Sequence, residues 1–125
     1  GHGVGCFLNV HEAPPRIGPK KSALVPLQVG MVVSNEPGVY RQGEYGIRIE
    51  NLVSVREAEP SLFGRFYAFE TLTLCHLDTR LVEPGLLTDR ERAWLNAYND
   101  RVYRSVSEEL EEPVRAWLAE RTAAL

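Results

Sequence analysis

A chain of 125 residues fits one domain or the terminal part of a larger protein, and its 44% hydrophobic and 25% charged residues are typical of a globular protein. Fourteen basic and seventeen acidic side chains give a formal net charge of -3, which argues against a nucleic-acid-binding surface because such a surface needs a basic excess. No apolar run approaches the roughly 20 residues that span a bilayer. We therefore expect neither nucleic acid nor a membrane as a partner.

The amino-terminal residues predict that the chain is part of a longer polypeptide. Residues 1–5 read Gly-His-Gly-Val-Gly, without an initiator Met, a signal peptide or a basic leader. The two cysteines, Cys6 and Cys75, do not have the spacing of metal-binding or redox pairs. A reducing cytoplasm is the simplest interpretation of these cysteines.

Four elements are predicted before residue 60. Residues 6–10 have a strand-like composition, and residues 13–21 predict a loop because three prolines and a glycine disfavour regular structure. Residues 31–34 predict a short buried strand from their β-branched content. Residues 47–55 predict the clearest strand, in which one face carries Ile47, Ile49, Val53 and Val55 and the other carries Arg48 and Glu50.

The second half of the chain changes from strand-rich to helical. Residues 66–74 are a further strand candidate, and residues 88–91 match a capping box that begins a helix. The apolar stripe of that helix recurs every four residues, at Trp94, Tyr98, Val102, Val106 and Leu110. Pro113 suits the first turn of a last helix, whose buried face would comprise Val114, Trp117 and Leu118. The composition changes near residue 60, so we expect a domain boundary between residues 60 and 70.

Two acidic residues are candidate metal ligands from their positions alone. Glu36 lies at a strand end and Glu50 inside a strand, where an ionised carboxylate is costly unless a cation pairs with it. They are 14 residues apart, so a hairpin could bring them together with the imidazole of His2. Such an oxygen-rich site suits Mn2+ and, less well, Co2+, Fe2+ or Zn2+. The residues alone leave an alternative open, in which Arg48 pairs with Glu50 and His2 is an unengaged terminal residue.

Four motifs in order resemble the second half of the catalytic domain of aminopeptidase P, the Xaa-Pro aminopeptidases. They are Gly-His-Gly-Val-Gly at 1–5, Asn-Val-His-Glu at 9–12, Asn-Glu-Pro-Gly at 35–38 and Gly-Ile-Arg-Ile-Glu-Asn at 46–51. That family belongs to the pita-bread metallopeptidases, with prolidase and methionine aminopeptidase. Residues 69–74, 77–81 and 87–98 resemble the C-terminal extension of the three-domain, cytosolic type, which prolidases lack.

The resemblance implies an α+β fold in two parts. Residues 1–62 would be the second half of a pita-bread domain with a curved antiparallel sheet, truncated at its amino end. Residues 63–125 would be the aminopeptidase P extension, a strand followed by two helices. The resemblance also implies a homodimer formed through this extension and a cytoplasmic location.

The resemblance assigns a role to six residues. His2 and Glu36 would bind one metal ion, and Glu50 would bridge two, with Mn2+ as the expected metal and Zn2+ or Co2+ as alternatives. His11 would line the pocket and hydrogen-bond the substrate or the developing tetrahedral centre, so that His11 and Glu36 act in catalysis. Tyr40 and Arg48 match positions that orient the ligands. Two aspartate ligands and a further histidine of the family lie upstream of its Gly-His-Gly motif, so we expect the 125-residue chain alone to be inactive.

The implied reaction is hydrolysis of the Xaa-Pro bond of peptides with proline at the second position. Two metal ions would lower the pKa of a shared water, and the resulting hydroxide would attack the carbonyl before proline. Two alternatives stay open at this point. One is an Xaa-Pro dipeptidase (prolidase), and the other is a non-catalytic pita-bread scaffold used for binding.

Overall fold

The computed structural model describes residues 1–7, 9–19 and 25–125. The chain divides into two compact units, Gly1–Thr73 and Leu74–Leu125. In the described residues, the first unit is built from β-strands and the second contains the two α-helices. The division into domains at residues 1–62 and 63–125 remains a prediction, because a contact-based division describes compactness and not domain identity.

The described part of the first unit contains two antiparallel sheets. The strands are β1 (His2–Gly3), β2 (Glu12–Arg16), β3 (Val32–Asn35), β4 (Gly38–Arg41), β5 (Tyr45–Arg48), β6 (Asn51–Glu57) and β7 (Tyr67–Thr71). Five of them form one sheet in the order β2-β1-β3-β6-β7, and β4 and β5 form a separate two-stranded ribbon. The predicted strands at residues 31–34 and 66–74 are confirmed as β3 and β7, to within a few residues at their ends.

The core of the first unit lies around β3 and β6. These strands are antiparallel, with Val33 opposite Val53, and both side chains are buried together with Val55. Burial alternates along β6 as the side chains point to opposite faces of the sheet. Burial of these β-branched side chains stabilises the two central strands in addition to their backbone pairing.

The prediction of one strand over residues 47–55 is wrong. The chain leaves the ribbon after Arg48 and enters the larger sheet at Asn51, so that Ile49 and Glu50 form the junction between two sheets. Ile47 and Ile49 are 54% and 50% exposed, although the alternating pattern placed them on a buried face. The pattern is compatible with either arrangement because alternation does not reveal which strand is the partner.

The predictions for residues 6–21 are also wrong in part. The described residues of the stretch 6–10 form bends and not a strand, and β2 passes through Pro14 and Pro15, where a loop was expected. Proline is tolerated there because β2 is the outermost strand of the sheet, so a missing N–H need not break a ladder on both sides. Residues 20–21 of the predicted loop lie outside the described residues.

The second unit follows its local helix signals closely. Helix α1 (Asp89–Val106) begins at Thr88, whose hydroxyl accepts a hydrogen bond from the N–H of Glu91 at 3.3 Å while the Glu91 carboxylate accepts one from the Thr88 N–H at 2.8 Å. The predicted capping box is therefore confirmed. Helix α2 (Glu112–Arg121) has Pro113 in its first turn, also as predicted. Short 3-10 turns lie at Thr79–Leu81, Pro84–Leu86 and Ser107–Glu109.

The buried face of α1 differs from the predicted stripe. Its buried residues are Leu95, Tyr98, Asn99 and Val102, whereas Trp94 is 53% exposed. The extended segment before the helix explains the shift, because Tyr98 donates a hydrogen bond to the Cys75 carbonyl and Asn99 bonds to Leu77. In α2 only Leu118 is buried among the described residues of the helix, so the predicted burial of Val114 and Trp117 is wrong.

Candidate metal centre

Strand pairing brings His2 and Glu36 together. β1 and β3 are antiparallel neighbours with Gly3 opposite Val33, and Glu36 follows the last residue of β3. The Nε2 atom of His2 lies 3.2 Å from Oε1 of Glu36, and both side chains are largely shielded from solvent. These two predicted ligands are therefore in direct contact although 34 positions separate them in the chain.

The imidazole of His2 is oriented by its own strand. Nδ1 lies 2.9 Å from the carbonyl oxygen of Gly3, which can only accept a hydrogen bond, so Nδ1 carries the proton in this contact. In the neutral ring, the other nitrogen, Nε2, then has a lone pair, and Nε2 is the nitrogen that faces Glu36. Metal-bound histidines commonly donate their other ring N–H to a backbone carbonyl, so the orientation of His2 fits a ligand.

Glu36 is held as a carboxylate. A hydrogen bond of 2.8 Å from the Ser34 hydroxyl is the largest cause that lowers the pKa of Glu36, and the charge of Arg48 acts in the same direction. Partial burial opposes the shift without reversing it. An ionised oxygen beside an imidazole nitrogen is the donor combination of a divalent metal site.

Glu50 is connected to Glu36 by the side chain of Arg48, which contacts both carboxylates. The Nε atom of Arg48 lies 3.3 Å from Oε2 of Glu50 and 4.0 Å from Oε2 of Glu36, so one guanidinium contacts both carboxylates. Tyr40 completes the group, because its hydroxyl oxygen accepts a hydrogen bond from Nη1 of Arg48 at 3.4 Å. The bond to Tyr40 and the charge of Glu50 raise the pKa of Arg48, which stays positively charged.

The ring of His11 packs beside that of His2. The centroids of the two imidazole rings are 4.3 Å apart and the ring planes are tilted by 48°. Both rings line an open cavity of about 330 Å³ that also includes Glu12, Pro14 and Pro15 of the β2 strand. The six residues singled out in the sequence are thus linked by direct contacts in one region of the first unit.

The glycines of the amino-terminal motif allow this region to form. A Cβ atom on Gly3 would lie 2.2 Å from the carbonyl oxygen of Glu12, and one on Gly5 would lie 1.7 Å from the Glu12 carboxylate. A side chain on Gly3 would clash with the backbone of the neighbouring β2 strand, so this glycine allows β1 to lie close to β2, whereas the Gly5 contact is with the flexible end of the Glu12 side chain. This close approach places His2 beside His11.

The three predicted ligands are not gathered as one cluster. Within residues 1–7, 9–19 and 25–125, no three acidic, histidine or cysteine side chains are close enough together to hold a metal ion. The structure instead forms a His2–Glu36 pair and an Arg48–Glu50 pair, because the Arg48 guanidinium lies between the two carboxylates. The assignment of His2, Glu36 and Glu50 as ligands therefore stays a prediction.

Ser34 is a residue of this region that the sequence interpretation missed. It donates the hydrogen bond to Glu36 described above, and its oxygen accepts one from the backbone N–H of His2 at 3.0 Å. A signal for it was available, because Ser34 interrupts a β-branched run and lies two residues before Glu36. Side chains two apart in a strand point to the same face.

Family models match nearly all of this chain. The model of metallopeptidase family M24 matches residues 1–57, and the model of the C-terminal region of that peptidase family matches residues 65–125. The four sequence motifs and the antiparallel sheet that carries His2, Glu36 and Glu50 lie within the first match. The chain belongs to metallopeptidase family M24.

Within that family the chain is similar to Xaa-Pro aminopeptidases. It is 46% identical over 131 residues to the Probable Xaa-Pro aminopeptidase P of Coprinopsis cinerea and 47% identical over 129 residues to Aminopeptidase P2 of Arabidopsis thaliana. Each alignment covers 100% of this chain but only 21% and 18% of those relatives. The chain thus spans about a fifth of their length.

A solved structure is similar over the same extent. X-prolyl aminopeptidase from Caenorhabditis elegans, described as a cytosolic enzyme with a di-nuclear active site, matches with a TM-score of 0.85 and 38% sequence identity. The match covers 99% of this chain and 21% of that enzyme. The predicted resemblance and the α+β fold, the C-terminal part of a pita-bread fold with two helices after an antiparallel sheet, are confirmed.

Neither helix in the described ranges combines the length and the apolar character that crossing a bilayer would require.

Proposed function

We propose that the protein carrying this chain is a metal-dependent aminopeptidase that releases the amino-terminal residue before proline. The observation that supports the proposal is the contact between His2 and Glu36, together with the guanidinium of Arg48, which contacts both Glu36 and Glu50. Two carboxylates that share a cationic partner are suited to share a metal cation. The family membership supports the same conclusion from independent evidence.

The side chains of His2, Glu36 and Glu50 have the donor chemistry of ligands for a pair of divalent metal ions. His2 would supply Nε2 while its Nδ1 stays bonded to the Gly3 carbonyl, and Glu36 would supply an ionised oxygen. Glu50 would join them if the guanidinium of Arg48 moved away from between the carboxylates. We propose Mn2+ as the metal because the donor set is rich in oxygen, with Zn2+ or Co2+ as alternatives. Ligands from outside the chain would complete the site.

The residues of the chain would divide the work of hydrolysis. When bound, the metal ions would supply a water of lowered pKa as the nucleophile. His11 would donate a hydrogen bond to the oxygen that develops negative charge on the substrate carbonyl, a role supported by its position beside His2 at the cavity. Proline offers no N–H, so selectivity would come from the fit of its ring and not from a backbone hydrogen bond. Arg48 and Tyr40 would orient Glu50.

The substrate class, assembly and location are proposed on the same basis. Peptides with proline at the second position are the expected substrates, and the expected location is the cytoplasm. A homodimer through the helical segment is supported by the exposure of large apolar side chains there, namely Leu81, Leu86, Trp94, Val114 and Trp117. The chain alone would not turn over, because it supplies only part of the ligand set.

The decisive experiment measures metal content and cleavage together. In the full-length protein that carries this chain, Glu50→Gln should lower the bound metal per subunit by elemental analysis and abolish most cleavage of Xaa-Pro tripeptides. Glu44→Gln is the matched control, because Glu44 is an exposed glutamate of the ribbon that pairs with Arg41 at 3.3 Å.

If both metal content and Xaa-Pro cleavage survive Glu50→Gln, the assignment of the site is wrong. A full-length protein that binds metal but cleaves only dipeptides would point to an Xaa-Pro dipeptidase. One that binds no metal and cleaves neither substrate would be a binding scaffold.

A further inference from the structure

Ser34 lies where the two predicted ligands His2 and Glu36 meet. It is the third residue of β3, and it has 0% exposure to solvent. A hydroxyl taken out of water is costly unless it forms hydrogen bonds, so the partners of Ser34 show what holds it in place. Those partners are the two candidate ligands themselves.

The Ser34 hydroxyl contacts the backbone of one ligand and the side chain of the other. Its oxygen accepts a hydrogen bond from the His2 N–H at 3.0 Å and lies 2.8 Å from Oε1 of Glu36. The carbonyl oxygen of His2 is a longer alternative acceptor at 3.4 Å. A hydroxyl has one proton to donate, and the shorter contact to a charged oxygen is the stronger one. Glu36 therefore receives the proton and His2 donates to the same oxygen.

The Ser34 hydroxyl extends the hydrogen bonding between β1 and β3 to His2. Gly3 is opposite Val33 in the register, and the Val4 N–H donates to the Val32 carbonyl at 3.0 Å. One step further along β1, the N–H of His2 finds a side-chain oxygen in place of a backbone carbonyl. The position of the His2 backbone is thus coupled to the position of the Glu36 carboxylate.

The chain before His2 is packed tightly against the same residue. A Cβ atom on Gly1 would lie 1.8 Å from the carbonyl oxygen of Ser34, a distance that no side chain could occupy. The backbones of Gly1 and Ser34 therefore lie in close contact, with no room for a side chain between them.

We propose that Ser34 is a positioning residue that sets the distance between Nε2 of His2 and Oε1 of Glu36, which is 3.2 Å here. It does not contact the metal or the substrate but holds two ligands at the spacing that one ion can bridge. The inference rests on the proposed function, because the spacing matters to metal only if His2 and Glu36 are ligands. It predicts that the hydroxyl, and not merely the filled space, is needed for tight metal binding.

The test compares metal affinity in four forms of the full-length protein. These are the wild type, Ser34→Ala, Ser34→Thr, which keeps the hydroxyl, and Ser54→Ala, which removes a hydroxyl from the neighbouring strand β6 at the position opposite Val32. Titration calorimetry with Mn2+ gives affinity and stoichiometry, and the visible absorption spectrum after loading with Co2+ reports the coordination geometry. Far-UV circular dichroism checks that each form is folded.

We expect Ser34→Ala to bind Mn2+ about tenfold more weakly and to change the Co2+ spectrum, in line with the usual effect of removing a hydrogen bond to a metal ligand. Ser34→Thr should stay within about threefold of the wild type, as should Ser54→Ala. Wild-type affinity in Ser34→Ala would overturn the inference, and so would a folded Ser34→Thr that binds as weakly as Ser34→Ala. Absence of metal binding by the wild type would overturn the proposed function as well, which separates the two failures.

Discussion

At the scale of single residues, the candidate centre is a balance of charges around Arg48. Its guanidinium contacts the carboxylates of Glu36 and Glu50, and Tyr40 anchors it from the ribbon. Without a cation the two carboxylates would repel each other across a short distance. Arg48 therefore occupies the role that a metal ion is proposed to take.

The first prediction concerns the removal of that guanidinium. Arg48→Gln should lower the melting temperature of the full-length protein in the presence of a chelator, by no more than about 4 °C because the Arg48 side chain is half exposed to solvent. Saturating Mn2+ should remove most of the difference, since the metal then compensates the carboxylates. Arg56→Gln, which changes an exposed arginine of β6, is the control. A melting difference that is the same with and without Mn2+ would contradict the prediction.

The second prediction concerns the pH dependence of the metal-free protein. The hydrogen bond from Ser34 lowers the pKa of Glu36 in the folded state, so its stabilising effect is present above the ordinary pKa of a glutamate and is lost as the pH falls through the lowered value. With chelator present, the wild type should therefore melt higher than Glu36→Gln near neutral pH, and the difference should shrink on acidification. Thermal melts from about pH 7 to about pH 3 measure this. A constant difference over that range would show that Glu36 is not stabilised as a carboxylate.

At the scale of elements, the buried side-chain amide of Asn99 makes the two hydrogen bonds that a backbone partner would make with Leu77. Asn99 on α1 accepts a hydrogen bond from the Leu77 N–H at 2.9 Å and donates one to the Leu77 carbonyl at 3.0 Å. The side chain thus acts towards the extended segment as a neighbouring strand would. Asn99 is 1% exposed, but the predicted stripe of α1 did not include it because its side chain is polar.

The third prediction follows from this pair of hydrogen bonds. Asn99→Ala should destabilise the protein by about 2 kcal/mol, because it leaves the partly buried N–H and carbonyl of Leu77 without their partner. Asn96→Ala is a useful comparison, since Asn96 on the same helix also bonds to a backbone, at Leu125, but is only partly buried. Urea denaturation should show the larger loss for Asn99. Equal losses would mean that the Leu77 contact contributes no more than the one at Leu125.

An element could be predicted from the sequence when the residues that stabilise it are close together in the chain. The Thr88–Glu91 capping box and Pro113 act within one helical turn, so the sequence predicted both helix starts. The interruption between β5 and β6 at Ile49 and Glu50 depends on pairing with strands that are distant in the chain. An alternating apolar pattern contains no information about those partners. For the site, residue types alone left His2, Glu36 and Glu50 as one alternative among others, and only the order of four motifs identified the family. Ser34 was missed because its role arises from a contact with a strand 32 positions away.

At the scale of the whole molecule, the chain has a sheet unit that carries the candidate site and a helical unit with its own buried residues. The core of the first unit consists of valines on β3 and β6, whereas that of the second includes Leu95, Tyr98, Val102 and Leu118. The helical unit leaves large apolar side chains exposed, which is the surface proposed for the homodimer.

The fourth prediction tests that surface. Trp94→Ser in the full-length protein should shift the population from dimer to monomer at micromolar concentration, because Trp94 is 53% exposed on α1 and stacks on Tyr98 at 5.5 Å. Light scattering coupled to size-exclusion chromatography measures the mass directly. Arg101→Ser, an exposed change on the same helix, should leave the mass unchanged. A wild type that is monomeric at all concentrations would rule out the dimer.

The prolines of β2 have a consequence for how this sheet behaves towards other chains. An outermost strand with free N–H and carbonyl groups can recruit a strand from another molecule and so seed aggregates. Pro14 and Pro15 remove two consecutive donors from that strand, so an incoming strand would find a gap where it needs a regular ladder. Growth of intermolecular β-structure is thereby discouraged on the side of the sheet nearest to His11, where an aggregate would otherwise bury the cavity.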